Sequence, residues 1–279
     1  MTMKRALIIT ALVLASAVSL AAAQRGAAGT APAAAAPAKG PVPRMADGHP
    51  DLSGVWWRGS DVGGRPAPGT PGALGAGPRG QQGPPPASYT DLYQPAAKEQ
   101  FKKLGDKDDP TLKCIPTSFG TLNVSMFGVG AVGQIVQTPK QVVLLTETFH
   151  SFKIIPTDGR PHRDDVPPAW RGDSVGRWDG DTLVVDTKNF SDVPWMFAEG
   201  RVSFHSDALH IVERYRRVDS NTLEIEATVE DPKVLTAPWT VPKQTLYLAP
   251  FDQIMELNCS GVETQSLMDA AAKENYGKK

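Results

Sequence analysis

Downstream of residue 131 the chain alternates short apolar runs with turn residues, and the runs carry the period-two pattern of half-buried strands. On this pattern strands are expected at about 133–138, 141–148, 151–156, 173–178, 182–187, 208–218, 222–230, 241–249 and 253–258. Three joints are built alike: "IVQTPKQVVLL", "VGRWDGDTLVV" and "YRRVDSNTLEI" each place Pro, Gly or Asx residues between two apolar runs. The Asp-Gly pair at 179–180 is a strong local hairpin signal. Sequential hairpins predict an antiparallel meander, and one this long removes its exposed edges by closing on itself. No long amphipathic helices alternate with the strands, which argues against a parallel α/β sheet. The fold class expected is all-β, a lipocalin-like barrel.

Upstream the pattern is different. "DLSGVWWRGS", 51–60, is strand-like, and 62–88 is a Gly/Pro-rich loop. Residues 94–105 hold helix formers with Gly at the stop, predicting one short helix.

The hairpin over 208–230 can be registered from its charges. With 219–221 as a three-residue turn, Val218 faces Thr222, Arg216 meets Glu224, and Arg214 meets Glu226. Opposite-charge cross-strand pairs mark the solvent face. The other face then holds Tyr215 beside Ile225, Ile211 beside Val229, and Glu213 beside Ala227, so Glu213 points inward. A buried carboxylate is costly unless paired or protonated. Glu213 is therefore either an ion-pair partner, for an Arg such as Arg177 or Arg201, or the polar anchor or acid/base group of an enclosed cavity.

Composition narrows the setting. Residues 1–23 have the basic start, apolar run and small-residue end of a signal peptide. Residues 24–48 are Ala/Pro-rich with too little apolar surface to fold, a disordered tether; 49–262 form one barrel domain and 263–279 a tail. The expected location is periplasmic or secreted, with no membrane span in the mature protein. In an oxidising compartment Cys114 and Cys259 are expected to form a disulfide. A formal net charge of −1 provides no basic stripe for nucleic acid, so the partner is a small molecule. No motif implies a cofactor.

Histidines supply further candidate chemistry. His162, His205 and His210 lie in acidic surroundings and are weak candidates for a metal site, although the odd spacing of His205 and His210 turns them to opposite faces of a continuous strand. "GDSVG" at 172–176 opens a strand and is no nucleophile elbow, and "FGVGAVG" at 127–133 lacks the helix and Lys of a phosphate cradle. Of the tryptophans, Trp195 in "DVPWMF" is expected nearest a barrel mouth.

"LSGVWW" resembles the Gly-x-Trp signature on the first strand of lipocalins. The set "DGRPH", "GRWDGDTLVVDT", "LHIVERYRR" and "DPKVLTAPWT" is similar to a widespread group of exported bacterial proteins of unsettled function, which implies a periplasmic β-rich domain and no particular reaction.

Three functions follow as expectations. In the first, the barrel holds a small apolar or aromatic ligand, oriented by Tyr215, Trp178, Trp195, His205 and Arg201. In the second it is a cofactor-independent lyase, isomerase or hydratase, with Glu213 or His210 moving a proton and Arg177 stabilising negative charge. In the third it is a structural or surface-association module with a filled interior.

Overall fold

The computed structural model describes residues 39–58, 87–119, 132–147, 149, 151–197 and 202–256. Outside this set lie the expected signal peptide, most of the Ala/Pro tether, most of the Gly/Pro loop, the tail, and Arg201 and Cys259.

Nine strands form: β1 Gly54–Trp57, β2 Gly133–Thr138, β3 Gln141–Thr146, β4 Phe152–Pro156, β5 Asp173–Asp179, β6 Thr182–Lys188, β7 His210–Asp219, β8 Thr222–Glu230 and β9 Trp239–Leu248. They make one sheet in the order β4-β3-β2-β1-β9-β8-β7-β6-β5, antiparallel at every joint. The sheet curls until its two edges, β4 and β5, lie together, giving a nearly closed barrel. Gly176 permits that approach, because a Cβ there would stand 2.8 Å from Ile155 Cγ2 and 3.0 Å from Thr157 Cγ2 on the facing edge.

The meander is as the alternation predicts, with one substitution of strands. Residues 253–256 form no strand, and the ninth place is taken by β1, which pairs with both β2 and β9. After β9 the chain instead leads to the backbone N–H of Met255, which donates to Glu147 Oε1 at 2.7 Å.

The β7/β8 register matches the charge pairs: Arg216↔Glu224, Arg214↔Glu226, Tyr215↔Ile225 and Glu213↔Ala227. The turn itself differs. Asp219 pairs with Thr222 around a two-residue turn, and Val218 is the extra residue of a bulge between Arg217 and Asp219. A two-residue turn alone would swap the faces, and the bulge swaps them back.

The helix α1, Pro95–Phe101, begins with Pro at its first position, where the missing N–H costs nothing. Gln94 before it donates its side-chain amide to Pro232 O and Leu235 O, tying α1 to the barrel end. Residues 39–48, which composition places in the tether, are docked on the opposite end. Arg44 grips Asp181 through two bonds of 2.8 and 2.7 Å, the Gly40 N–H donates to Ser220 Oγ, and His49 stacks on Trp178 at 4.6 Å.

Two apolar clusters fill the barrel ends. One gathers Leu52, Trp56, Ile135, Leu144, Ile155 and Leu183. There Arg217 lies over the Trp56 ring at 5.0 Å and donates to the carbonyl of Asp51 at 2.6 Å and to that of Ser220. The other is aromatic: Tyr89, Phe119, Phe197 and Trp239 meet edge to face, and the Tyr89 and Tyr93 hydroxyls both donate to Phe204 O. Such ring pairs contribute about 0.5–1.5 kcal/mol each beyond area burial. Among the described residues no helix is long and apolar enough to cross a membrane.

Candidate functional site

Between the two clusters the barrel interior carries a polar belt. Glu213 on β7 is 1 % exposed and faces inward, as its register requires. Its partner is Lys153 of β4, whose Nζ lies 3.1 Å from Glu213 Oε2 and 3.5 Å from Thr187 Oγ1. The Tyr215 hydroxyl donates to Glu213 Oε1 at 3.3 Å, and Ser174 and Thr187 share a hydrogen bond of 2.9 Å. Burial lowers the Lys153 ammonium pKa, Glu213 opposes the shift, and the nearby Arg171 guanidinium adds to it. Arg171, also buried, donates to Ser151 Oγ at 3.0 Å. The ion-pair reading of Glu213 is what this geometry supports, with Lys153 in place of the arginine expected from sequence.

The outer wall of the same strands carries a second row of charge. His162 reaches down from the β4–β5 connection, its Nδ1 2.9 Å from Asp173 Oδ2 and its Nε2 2.8 Å from Asp186 Oδ1. His210 on β7 takes the other oxygen of Asp186 at 3.1 Å and Glu230 of β8 at 3.2 Å. Arg163 Nε closes the row on Asp173 at 3.0 Å. Burial lowers the His210 pKa, but its bonds to Asp186 and Glu230 outweigh this and hold the imidazolium above its ordinary value. The same two histidines hold the Asp186 carboxyl below the usual range against its partial burial.

This row crosses an open groove of about 1120 Å³, lined by the 159–166 loop on one side and by the outward residues of β5, β6 and β7 on the other. Its floor is aliphatic, with Val175, Val184 and Val212 on the three strands. Arg177 and Lys188 also line it.

A third arrangement is buried near the aromatic cluster. Ser118 Oγ lies 2.6 Å from His205 Nε2, and His205 Nδ1 lies 2.8 Å from the carbonyl of Ser206. A carbonyl only accepts, so Nδ1 carries the proton and Nε2 accepts from the serine hydroxyl. Burial lowers the His205 pKa and keeps the ring neutral.

These placements separate residues that the sequence reading groups together. Glu213 and Tyr215 face the interior, whereas His210 and Arg177 face solvent on the outer wall, so they do not converge on one substrate. Trp178 lies at the end where His49 stacks on it. Trp195 is 4 % exposed within the aromatic cluster and not at an open mouth, and His205 is packed 3 % exposed. Arg201 lies outside the described residues. His162 and His210 share Asp186 while His205 is bonded to Ser118, and among the described residues no three His, Cys, Asp or Glu side chains are arranged to hold a metal. The described residues include no free cysteine; the Cys114–Cys259 pairing falls on a residue outside them.

Lys153, Asp186, Ser118 and Lys188 were not indicated by any motif. The signal for Asp186 is a carboxylate in the middle of "LVVDT", and its meaning appears only when the register sets it opposite Val212 and next to His210. Compared with protein-family models, with curated proteins and with solved structures, the chain matches none of them.

Proposed function

We propose that the chain is an exported small-molecule-binding β-barrel whose ligand occupies the groove on the outer wall of β5, β6 and β7. The observation that carries this reading is the groove itself: a concavity in which valines from three adjacent strands lie among convergent charged groups able to orient a ligand. The interior polar groups support it from the other side, since Glu213 is already engaged by Lys153 and Tyr215. Export rests on the signal-like start.

The test is native mass spectrometry of the protein after export from its own host, joined to two-dimensional NMR with a fragment library. A retained organic mass, with shifts at Val175, Val184 and His210, is expected. Shifts confined to Tyr215 and Ile225 would return the ligand to the interior, and neither mass nor shifts would favour the structural module.

A further inference from the structure

Most basic groups around the groove already hold a carboxylate. Arg160 is bound to Asp158, Arg163 and His162 to Asp173, and His210 to Asp186 and Glu230. Arg177 and Lys188 differ. Both are exposed, both lie on the groove lining from adjacent strands, and neither side chain makes a salt bridge or hydrogen bond among the described residues, although the Arg177 charge acts at longer range on the Asp179 carboxylate.

Against these two cations the lining sets one unengaged carboxylate, Asp164; Asp207 is taken by Lys233 and Asp186 by the two histidines. The unengaged charge of the groove is therefore positive. Between the cations the floor holds Val184 and then Asp186, which the two histidines engage and which Val175 and Val212 flank across the sheet, and the lining includes no Phe, Tyr or Trp among the described residues. Arg177 stands directly opposite Val184, the most buried of the three floor valines.

We infer that the groove takes a linear aliphatic carboxylate, its carboxylate on Arg177 or Lys188 and its chain over the floor valines that flank the histidine-engaged Asp186. This rests on the groove being the ligand site. A guanidinium offers a carboxylate two parallel N–H bonds, and the floor gains by losing water to an alkyl chain. An aromatic acid would find no Phe, Tyr or Trp to stack on, and an organic cation would meet two positive charges.

The experiment titrates octanoate and octan-1-ol into the full-length protein by NMR, alongside the R177Q/K188Q double variant. Both positions are exposed, so the variant is expected to keep the wild-type melting temperature. Octanoate should give saturable shifts at Val175, Val184 and Val212, with octan-1-ol weaker by about tenfold and the double variant losing a similar factor, as expected for one lost charged contact. Equal affinity for the alcohol, or octanoate binding that survives both substitutions, overturns the carboxylate inference while leaving the groove as the site. No shift in the groove with either ligand, together with no retained mass, overturns both.

Discussion

Replacing Glu213 by Leu removes the carboxylate that faces Lys153 inside the barrel. At 3.1 Å and an effective dielectric near 20, the attraction of the pair is about 5 kcal/mol. Desolvating each ion costs several kcal/mol, so the intact pair contributes little net stability. Breaking it is another matter. In Glu213→Leu the Lys153 ammonium would remain buried with Arg171 nearby and its anion gone, and a single broken buried pair costs about 3–5 kcal/mol. For a folded region of this size that is a fall in Tm of about 6–20 °C. Lys153→Met should cost a similar amount by leaving Glu213 unpaired. The double variant Lys153→Met/Glu213→Leu should recover most of the loss, because both charges leave together. Urea melts of the four proteins, fitted with a common m-value, measure the coupling directly. Independent, additive losses would refute the pairing, and so would a Glu213→Leu protein as stable as the parent.

Two further outcomes are expected. Ser118→Ala leaves His205 Nε2 buried without its donor and should cost about 1–3 kcal/mol in urea; no change would remove the hydrogen bond from the structural account. The outer row should be pH-dependent, since a ring contacting carboxylates through both nitrogens donates to both only as imidazolium. His210 is flanked by Asp186 and Glu230, and His162 by Asp173 and Asp186, with Arg163 also on Asp173 and Lys188 on the same groove lining. The His210 pKa is raised above its ordinary 6.5, so its contribution to stability is complete below that value and is lost as pH rises through the folded-state pKa. Trypsin cleavage after Arg163 should accelerate over that range, and less so in His210→Gln; a pH-independent ratio of the two proteins would refute the role.

Alternation and turn residues made the eight strands from 133 to 248 legible, because each is half-buried and bounded by a turn. Glu213 was legible for a stronger reason: its neighbours Arg214 and Arg216 find Glu226 and Glu224, and only one parity satisfies both pairs. Lys153 was not. In "FKIIP" the large apolar Phe152 and Ile154 are 61 % and 48 % exposed, while Lys153 and Ile155 point inward, an inversion that composition argues against. The partner strand offers no phase either, because "QVVLLT" is apolar on both faces. The outer row was hidden because its carboxylates, Asp173, Asp186 and Glu230, come from three strands and meet only through the register.

The barrel's one seam shows why these charges sit where they do. β4 and β5 are the ends of the strand order, and no backbone ladder joins them. Open edges invite foreign strands unless something covers or closes them. Here side chains do the closing: Gly176 lets β5 approach Ile155, Arg171 before β5 reaches Ser151 before β4, and Lys153 passes beneath to Thr187 and Glu213. Outside, the connection from β4 to β5 is itself held down by His162 on Asp173 and Asp186. A joint made of hydrogen-bonded backbone would be indifferent to pH near neutrality, whereas this one is fastened by ionisable groups on both faces. The groove therefore lies beside the one joint of the barrel that side chains, and not a backbone ladder, hold closed.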